Sequence, residues 1–196
     1  MEGITVTVRP ETVSWETVSQ VLREAHRENV RQGIRMTYPN LPPQELWAIT
    51  EGRGGTLYLA SDGDRVVGTA AVVRIDKAIW CGDGAYAYCF LDAVVPDYAG
   101  KGVFRQLAAA QERWARAAGI SRLLLDTNER NRPMLRLCRK NGWRAVDYRI
   151  HHGYSSVMLV RWLDGCPYSP LYCRYKYLWM KWARKRKQWK NSRTSS

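Results

Sequence analysis

The stretch Val94 to Leu107, "VVPDYAGKGVFRQL", holds the residues of this 196-residue chain best suited to chemistry. An apolar run ends just before Gly100-Lys101-Gly102, and an amphipathic pattern begins just after. A helix start leaves its first backbone N–H groups unpaired, and with the helix macrodipole they make a site for anions. Glycines at such a turn keep side chains away from an incoming phosphate and let successive N–H groups form a concave nest, although they also serve turns that bind nothing. Neither common nucleotide loop is present: G-x-x-x-x-G-K-[ST] is absent, and the two glycines lack the third of G-x-G-x-x-G.

The elements that must position this turn can be read from periodicity. Ile4 to Val8 alternates as a strand, and Thr12 or Ser14 can cap a helix with Val13, Val18, Val21, Leu22 and Ala25 on one face. A proline-punctuated loop follows, with a short helix after Pro43. Two strands surround a turn at Asp62-Gly63-Asp64, and a third runs from Ala85 to Val95. After the glycines, Val103, Leu107, Gln111, Trp114 and Ala118 recur at helical spacing up to Gly119. A strand "SRLLLDTN", a helix "NRPMLRLCRKNG" and strands "WRAVDYRIH" and "SSVMLVRWL" complete the order β-α-(α)-β-β-β-α-β-α-β-β.

Together these residues resemble the GCN5-related N-acetyltransferase (GNAT) family. There, a strand ending near V-x-P leads into [Q/R]-x-x-G-x-[G/A] and a helix whose start holds the pyrophosphate of acetyl-coenzyme A. Val94, Pro96, Gly100, Lys101, Gly102 and Leu107 match; Ala99 stands where Gln or Arg is usual, and Phe104 where Gly or Ala is. Neither departure removes a backbone donor. Further on, Asn131 and "LCRKNGW", with Lys140, Gly142 and Trp143, are similar to the family's next helix. The resemblance spans about Ile4 to Trp162 and implies an α/β (α+β) GNAT fold: a mixed, mostly antiparallel sheet of six to seven strands with helices on both faces.

It also implies acetyl-coenzyme A as co-substrate, held by Ala93, Val94, Ala99, Gly100, Lys101, Gly102, Val103, Phe104, Arg105 and Asn131. The strand carrying Leu91 to Val94 should splay from its neighbour at a bulge and bond the pantetheine arm, leaving the Val94 amide for the oxyanion. Tyr88, Phe90 and Asp92 alternate, which puts them on one strand face with Asp92 as the lone carboxylate; it is either a base raised by burial or a salt-bridged strand residue. Cys138 occupies the position of the family's usual tyrosine acid, and is either a proton donor or a small core residue. A covalent acetyl-cysteine would need an activating base, for which only His151 and His152 offer themselves, while His26 reads as a helix-face residue.

The function expected is direct transfer of acetyl to a primary amine of a small molecule, such as an amino sugar, or of a protein. The alternative is a catalytically degenerate acyl-coenzyme A binding module. The acceptor is expected at the loop Asn29 to Leu46 and the last strands. Five cysteines without C-x-x-C spacing suggest neither a disulfide framework nor a metal site, and a cytoplasmic protein is expected, peripheral to a membrane through its tail. That tail, 165–196, follows a domain 1–164 and carries nine of the Lys and Arg residues and no acid, hence most of the net charge of +13. Tyr172, Tyr175, Leu178, Trp179 and Trp182 recur in it at helical spacing. An anionic membrane, RNA, or a helix packed on the domain with a disordered basic end all suit this pattern, and a homodimer is compatible with it.

Overall fold

The computed structural model describes residues 3–151 and 153–194, with side chains as far as residue 189; His152 lies outside the described residues. Seven strands and five helices follow one another as β1 (Thr5–Val8), α1 (Trp15–Arg31), α2 (Pro43–Ile49), β2 (Thr56–Asp62), β3 (Arg65–Ile79), β4 (Gly82–Val94), α3 (Val103–Ala117), β5 (Arg122–Asn128), α4 (Arg132–Lys140), β6 (Arg144–His151), β7 (Tyr154–Trp162) and α5 (Pro170–Thr194). The strands form one sheet in the order β1-β2-β3-β4-β5-β7-β6, antiparallel throughout except for β4 and β5. Ser14 caps α1 by accepting from the Thr17 amide at 3.2 Å, Gly63 turns β2 into β3, and Gly119 follows the end of α3.

The two-residue period of the strands sorts the core. Leu57, Leu59, Ala71, Val73 and Phe90 pack under α1 and α2, whereas Val72, Ala87, Cys89, Leu123 and Leu125 pack under α3 and α4. Gly68 on β3 permits the close approach of α3, since a Cβ there would sit 3.1 Å from Leu107 Cδ1, 3.2 Å from Val103 Cγ1 and 3.0 Å from the Ala93 carbonyl.

One bulge interrupts this alternation. The β3–β4 register shifts between Thr69↔Ala93 and Ala71↔Phe90, so Leu91 and Asp92 together oppose Ala70. Leu91 adopts φ +53°, a left-handed conformation that costs a branched residue about 1–2 kcal/mol. Thr69 Oγ1 donates to the Leu91 carbonyl at 2.6 Å, and the Leu91 side chain is buried. A buried hydrogen bond contributes about 1 kcal/mol and a buried leucine about 2, enough to offset the strain. Phe90, Leu91 and Ala93 all enter the cluster beneath α1, while Asp92 turns to the other face and meets Gln111 of α3. The expectation that Tyr88, Phe90 and Asp92 share one face is thus corrected: simple alternation cannot register an extra residue in the strand.

The basic aromatic segment forms α5, which continues through Thr194 where a disordered end was expected. It lies against β6, burying Cys173 and half-burying Tyr177. Arg184 grips Asp147 of β6 with two hydrogen bonds, Nε at 3.1 Å and Nη2 at 2.9 Å, and Lys181 Nζ donates to Glu129 at 3.1 Å. The Asp147 side chain is only 7 % exposed, so Arg184 is the counterion that makes its burial tolerable. Replacing Arg184 by Ala should therefore destabilise the fold by about 2 kcal/mol in urea denaturation, and the loss should shrink when Asp147→Ala is combined with it. Fully additive losses would show that the pair does not hold the helix.

Candidate active site

β4 and β5 pair only at Ala87↔Leu123 and Tyr88↔Leu124, and beyond these residues they diverge. Val95 donates to the Val67 carbonyl at 3.0 Å, which makes 67/95 a hydrogen-bonded antiparallel pair. The adjacent pair Gly68↔Val94 is then the non-bonded kind, so the backbone N–H of Val94 points away from β3, into the gap left by β5.

A cavity of about 500 Å³ fills that gap. The last turns of α1, the end of β4, the first turn of α3 and one side of α4 line it. Gly102 is the N-cap residue of α3 with φ +81°, and no side chain caps the helix. The amides of Val103, Phe104 and Arg105, orphaned by helix geometry, face this open end. Gly100 is also left-handed, at φ +76°, and a Cβ added at either glycine meets nothing within 4 Å. Backbone conformation is therefore what demands glycine here, rather than crowding by the protein. The Ala99 and Lys101 amides are committed inside the turn, to the carbonyls of Pro96 at 3.0 Å and Tyr98 at 3.3 Å.

Of the expected cofactor residues, Ala93, Val94, Ala99, Gly100, Gly102, Val103, Phe104, Arg105 and Asn131 line the cavity. Lys101 does not: its ammonium lies 4.7 Å from the centre of the ring of Tyr98, a residue that does line the cavity. Asn131 is buried and uses its side chain to cap α4, accepting from the Met134 amide at 3.3 Å and approaching Thr127 Oγ1 at 3.4 Å.

Asp92 also lines the cavity. Its Oδ1 accepts from Gln111 Nε2 at 2.7 Å, and the same nitrogen donates to the Ala71 carbonyl at 2.8 Å. Burial pushes the Asp92 carboxyl up to about 7, the Gln111 hydrogen bond only partly opposing it. Cys138, by contrast, is 1 % exposed and packs with Val72, Cys89 and Ala115 behind the cavity wall. Burial first, and then the charge of Asp92, push its thiol up to about 12. The sequence left its role open; the structure places it in the core. His26, read as a helix-face residue, lines the cavity beside Asn29, its Nδ1 3.3 Å from Asn29 Nδ2, and burial pushes it down to about 4. The helical spacing of Ala25, His26 and Asn29 was the available signal.

A second cavity of about 350 Å³ adjoins the first, walled by Gly33, Arg35, Glu129, Arg130, His151 and Tyr154 among others. Two segments bridge the pair: α1 and its following loop pass from Asn29 in the first cavity to Gly33 and Arg35 in the second, and the β5–α4 loop runs from Arg130 in the second to Asn131 in the first. Arg130 is fixed by donating to the carbonyls of Gly33 at 3.0 Å and Gln32 at 3.2 Å. On the sheet beneath α2, Tyr88 donates to Asp126 Oδ1 at 2.5 Å, and the Tyr38 and Tyr88 hydroxyls lie 3.2 Å apart. Burial, with the nearby Tyr38 and Asp126, keeps the Tyr88 phenol protonated far into the alkaline range. Sequence reasoning missed Tyr38 and Asp126: the pairing of β4 with β5 brings Asp126 to Tyr88, and the packing of the loop after α1 on the sheet brings Tyr38 there.

Three comparisons place this architecture. The chain has the fold of an acetyltransferase from Streptococcus agalactiae 2603 (18 % identity, TM-score 0.65, covering 83 % of this chain and 100 % of that one). Similar too are a GNAT family acetyltransferase from Elizabethkingia anophelis with acetyl-CoA bound (17 %, TM-score 0.60, 83 % and 100 %) and the ribosomal-protein-S18-alanine N-acetyltransferase of Escherichia coli (15 %, TM-score 0.60, 82 % and 94 %). No curated protein matches significantly. The family model "Acetyltransferase (GNAT) family" matches residues 15–143, which include the divergent strands, the bare helix start and Asp92. The chain therefore belongs to the GNAT family of acetyltransferases, enzymes that use acetyl-coenzyme A as co-substrate.

Proposed function

We propose that this N-acetyltransferase moves the acetyl group directly to a primary amine, and that Asp92 carries the proton. The observation that supports this reading best is a single cavity holding both the uncapped start of α3 and a carboxyl near neutrality. The pyrophosphate of acetyl-coenzyme A lies on the amides of Gly102 to Arg105, and the pantetheine arm runs along the free edge of β4, as an added strand would. The thioester carbonyl then reaches the Val94 amide. The amine enters from the second cavity, which is roomy enough for an amino sugar or the terminal residue of a protein.

The steps balance without a further reactant. The amine nitrogen bonds to the thioester carbon and the carbonyl oxygen becomes an oxyanion, stabilised by the Val94 N–H. Asp92 removes the amine proton. The C–S bond then breaks, and the coenzyme thiolate takes the proton that Asp92 holds, a transfer for which a carboxyl near 7 and a thiol that ordinarily titrates at ~8.5 are well matched. Cys138 belongs to packing on this reading, since a thiol pushed up to about 12 is a weaker acid than the one it would have to protonate. The E. coli neighbour acts, by its name, on an alanine of a ribosomal protein, which keeps protein amines beside small ones as acceptors.

Phe104→Pro removes one amide from the first turn of α3, where proline is tolerated. It should weaken acetyl-coenzyme A binding about tenfold in calorimetry relative to Phe104→Ala, the value of one hydrogen bond to a charged group. Equal affinities would remove the pyrophosphate from this turn.

Turnover should rise with pH through about 7 as Asp92 ionises, and Asp92→Asn should lower it at least about 100-fold while leaving acetyl-coenzyme A affinity intact. The same substitution should raise stability at alkaline pH. Because the folded value of about 7 exceeds the 3.8 of an ordinary aspartate, the folded state binds a proton that the unfolded state has lost between these values. Stability thus falls as pH rises through that window and stays lower above it, and Asn should recover about 2 kcal/mol there in urea denaturation. An unchanged pH profile in Asp92→Asn would transfer the role of base elsewhere. Cys138→Ala should keep most of the activity, and intact-protein mass spectrometry with acetyl-coenzyme A alone should detect no acetylated chain. An acetyl group on Cys138 would instead establish the covalent route.

A further inference from the structure

We propose that α5 is a two-faced helix whose outer face docks the folded domain on an anionic lipid surface. Its inner face is already occupied. Cys173, Tyr177, Lys181 and Arg184 recur at intervals of four, four and three, and they are the residues that pack on the sheet or pair with Glu129 and Asp147. At 100° per residue, the side of the helix turned away from them carries Leu171, Tyr175, Leu178, Trp179 and Trp182, with Trp189 one turn and more beyond. Each of these is between 51 % and 78 % exposed. From Leu171 to Trp182 this apolar row extends about 17 Å along the helix, and Trp189 follows it beyond Arg186. Soluble surfaces rarely leave so large a contiguous patch uncovered.

The charges around the row select its occupant. Lys176 reaches over the rings of Tyr172 at 5.7 Å and Trp179 at 6.0 Å, and Arg186 lies 5.1 Å from the ring centre of Trp182. Arg174 and Lys187 border the row on its two sides, both exposed. No Asp or Glu follows Asp164 in the sequence. A second copy of the chain would set this cationic border against its own like, so self-association through the row is opposed by repulsion. A protein partner would have to offer an apolar groove rimmed throughout by acid. An anionic bilayer satisfies every part of the row at once: tryptophan and tyrosine seat in the headgroup region, Leu171 and Leu178 reach the acyl boundary, and the cations face lipid phosphates. The aliphatic members favour lipid over RNA, whose bases need aromatic faces for stacking and have no use for leucine. No helix among the described residues is long and apolar enough to cross a membrane, so the attachment is peripheral.

The test uses the full chain with vesicles of phosphatidylglycerol mixed into phosphatidylcholine, and with vesicles of phosphatidylcholine alone, measured by co-sedimentation. Binding to the anionic vesicles should be strong at low salt and should fall as salt rises. Lys176→Ala combined with Arg186→Ala should weaken it roughly 25-fold, at about fivefold per near-surface cation, and Leu178→Ser with Trp182→Ser at least about tenfold. Neither double variant alters Cys173, Tyr177, Lys181 or Arg184, which hold the helix to the sheet, so an unaltered thermal midpoint is expected and serves as the check on folding. Equal binding to both kinds of vesicle, or variants that bind like the parent, would overturn the proposal. So would a protein that ignores vesicles but dimerises in analytical ultracentrifugation or binds single-stranded RNA with a steep salt slope.

Discussion

The extra residue at the end of β4 is the constraint on which the site depends. With Leu91 in a left-handed conformation pinned by Thr69, the strand carries Asp92 to the face opposite Phe90 and delivers it to Gln111. Beyond the last β5 partner, Tyr88, the strand has a free edge, and the pairing parity that follows the bulge turns the Val94 amide into the gap. A regular strand would have left Asp92 under α1 and the cavity without its carboxyl. A local cost of about one or two kcal/mol, met by a buried hydrogen bond and a buried leucine, therefore sets the position of the Asp92 carboxyl in the cavity.

Desolvation then decides what the groups around the cavity can do. The same burial that raises Asp92 towards neutrality lowers His26 to about 4, so the cavity holds a carboxyl able to exchange its proton near pH 7 and an imidazole that stays neutral. Cys138 is raised beyond useful acidity by the same effect. Against these, the helix start supplies fixed dipoles that need no reorganisation to receive an anion. The cavity is thus dry around Asp92 and open where α3 is left uncapped.

α5 shows a second division of labour, between the faces of one helix. The ion pairs from Lys181 and Arg184 hold its orientation against β6, and that orientation determines which aromatics are left outside. The clamp thus fixes which residues form the exposed row.

The order of elements, the family and the glycine turn before α3 were legible before any folding was considered, because they follow from local signals: hydrophobic period, a cap at Thr12 or Ser14, a stop at Gly119, and glycines at 100 and 102 whose left-handed φ no other residue adopts cheaply. It also exposed the aromatic spacing of α5, since composition and helical period are local properties. The direction in which Asp92 faces was settled by strand pairing, because a bulge is a property of two paired strands and leaves no mark in the spacing of one. The same holds for the Tyr38, Tyr88 and Asp126 contact, which joins residues 38 to 50 positions apart, and for His26 in the cavity wall. Lys101, adjacent to two glycines that do line the cavity, was drawn instead to the face of Tyr98, a partner that sequence proximity could suggest but only packing could choose. The placement of Cys138 in the core and the inner face of α5 likewise depend on what packs against them, and burial is settled only when the whole sheet is assembled.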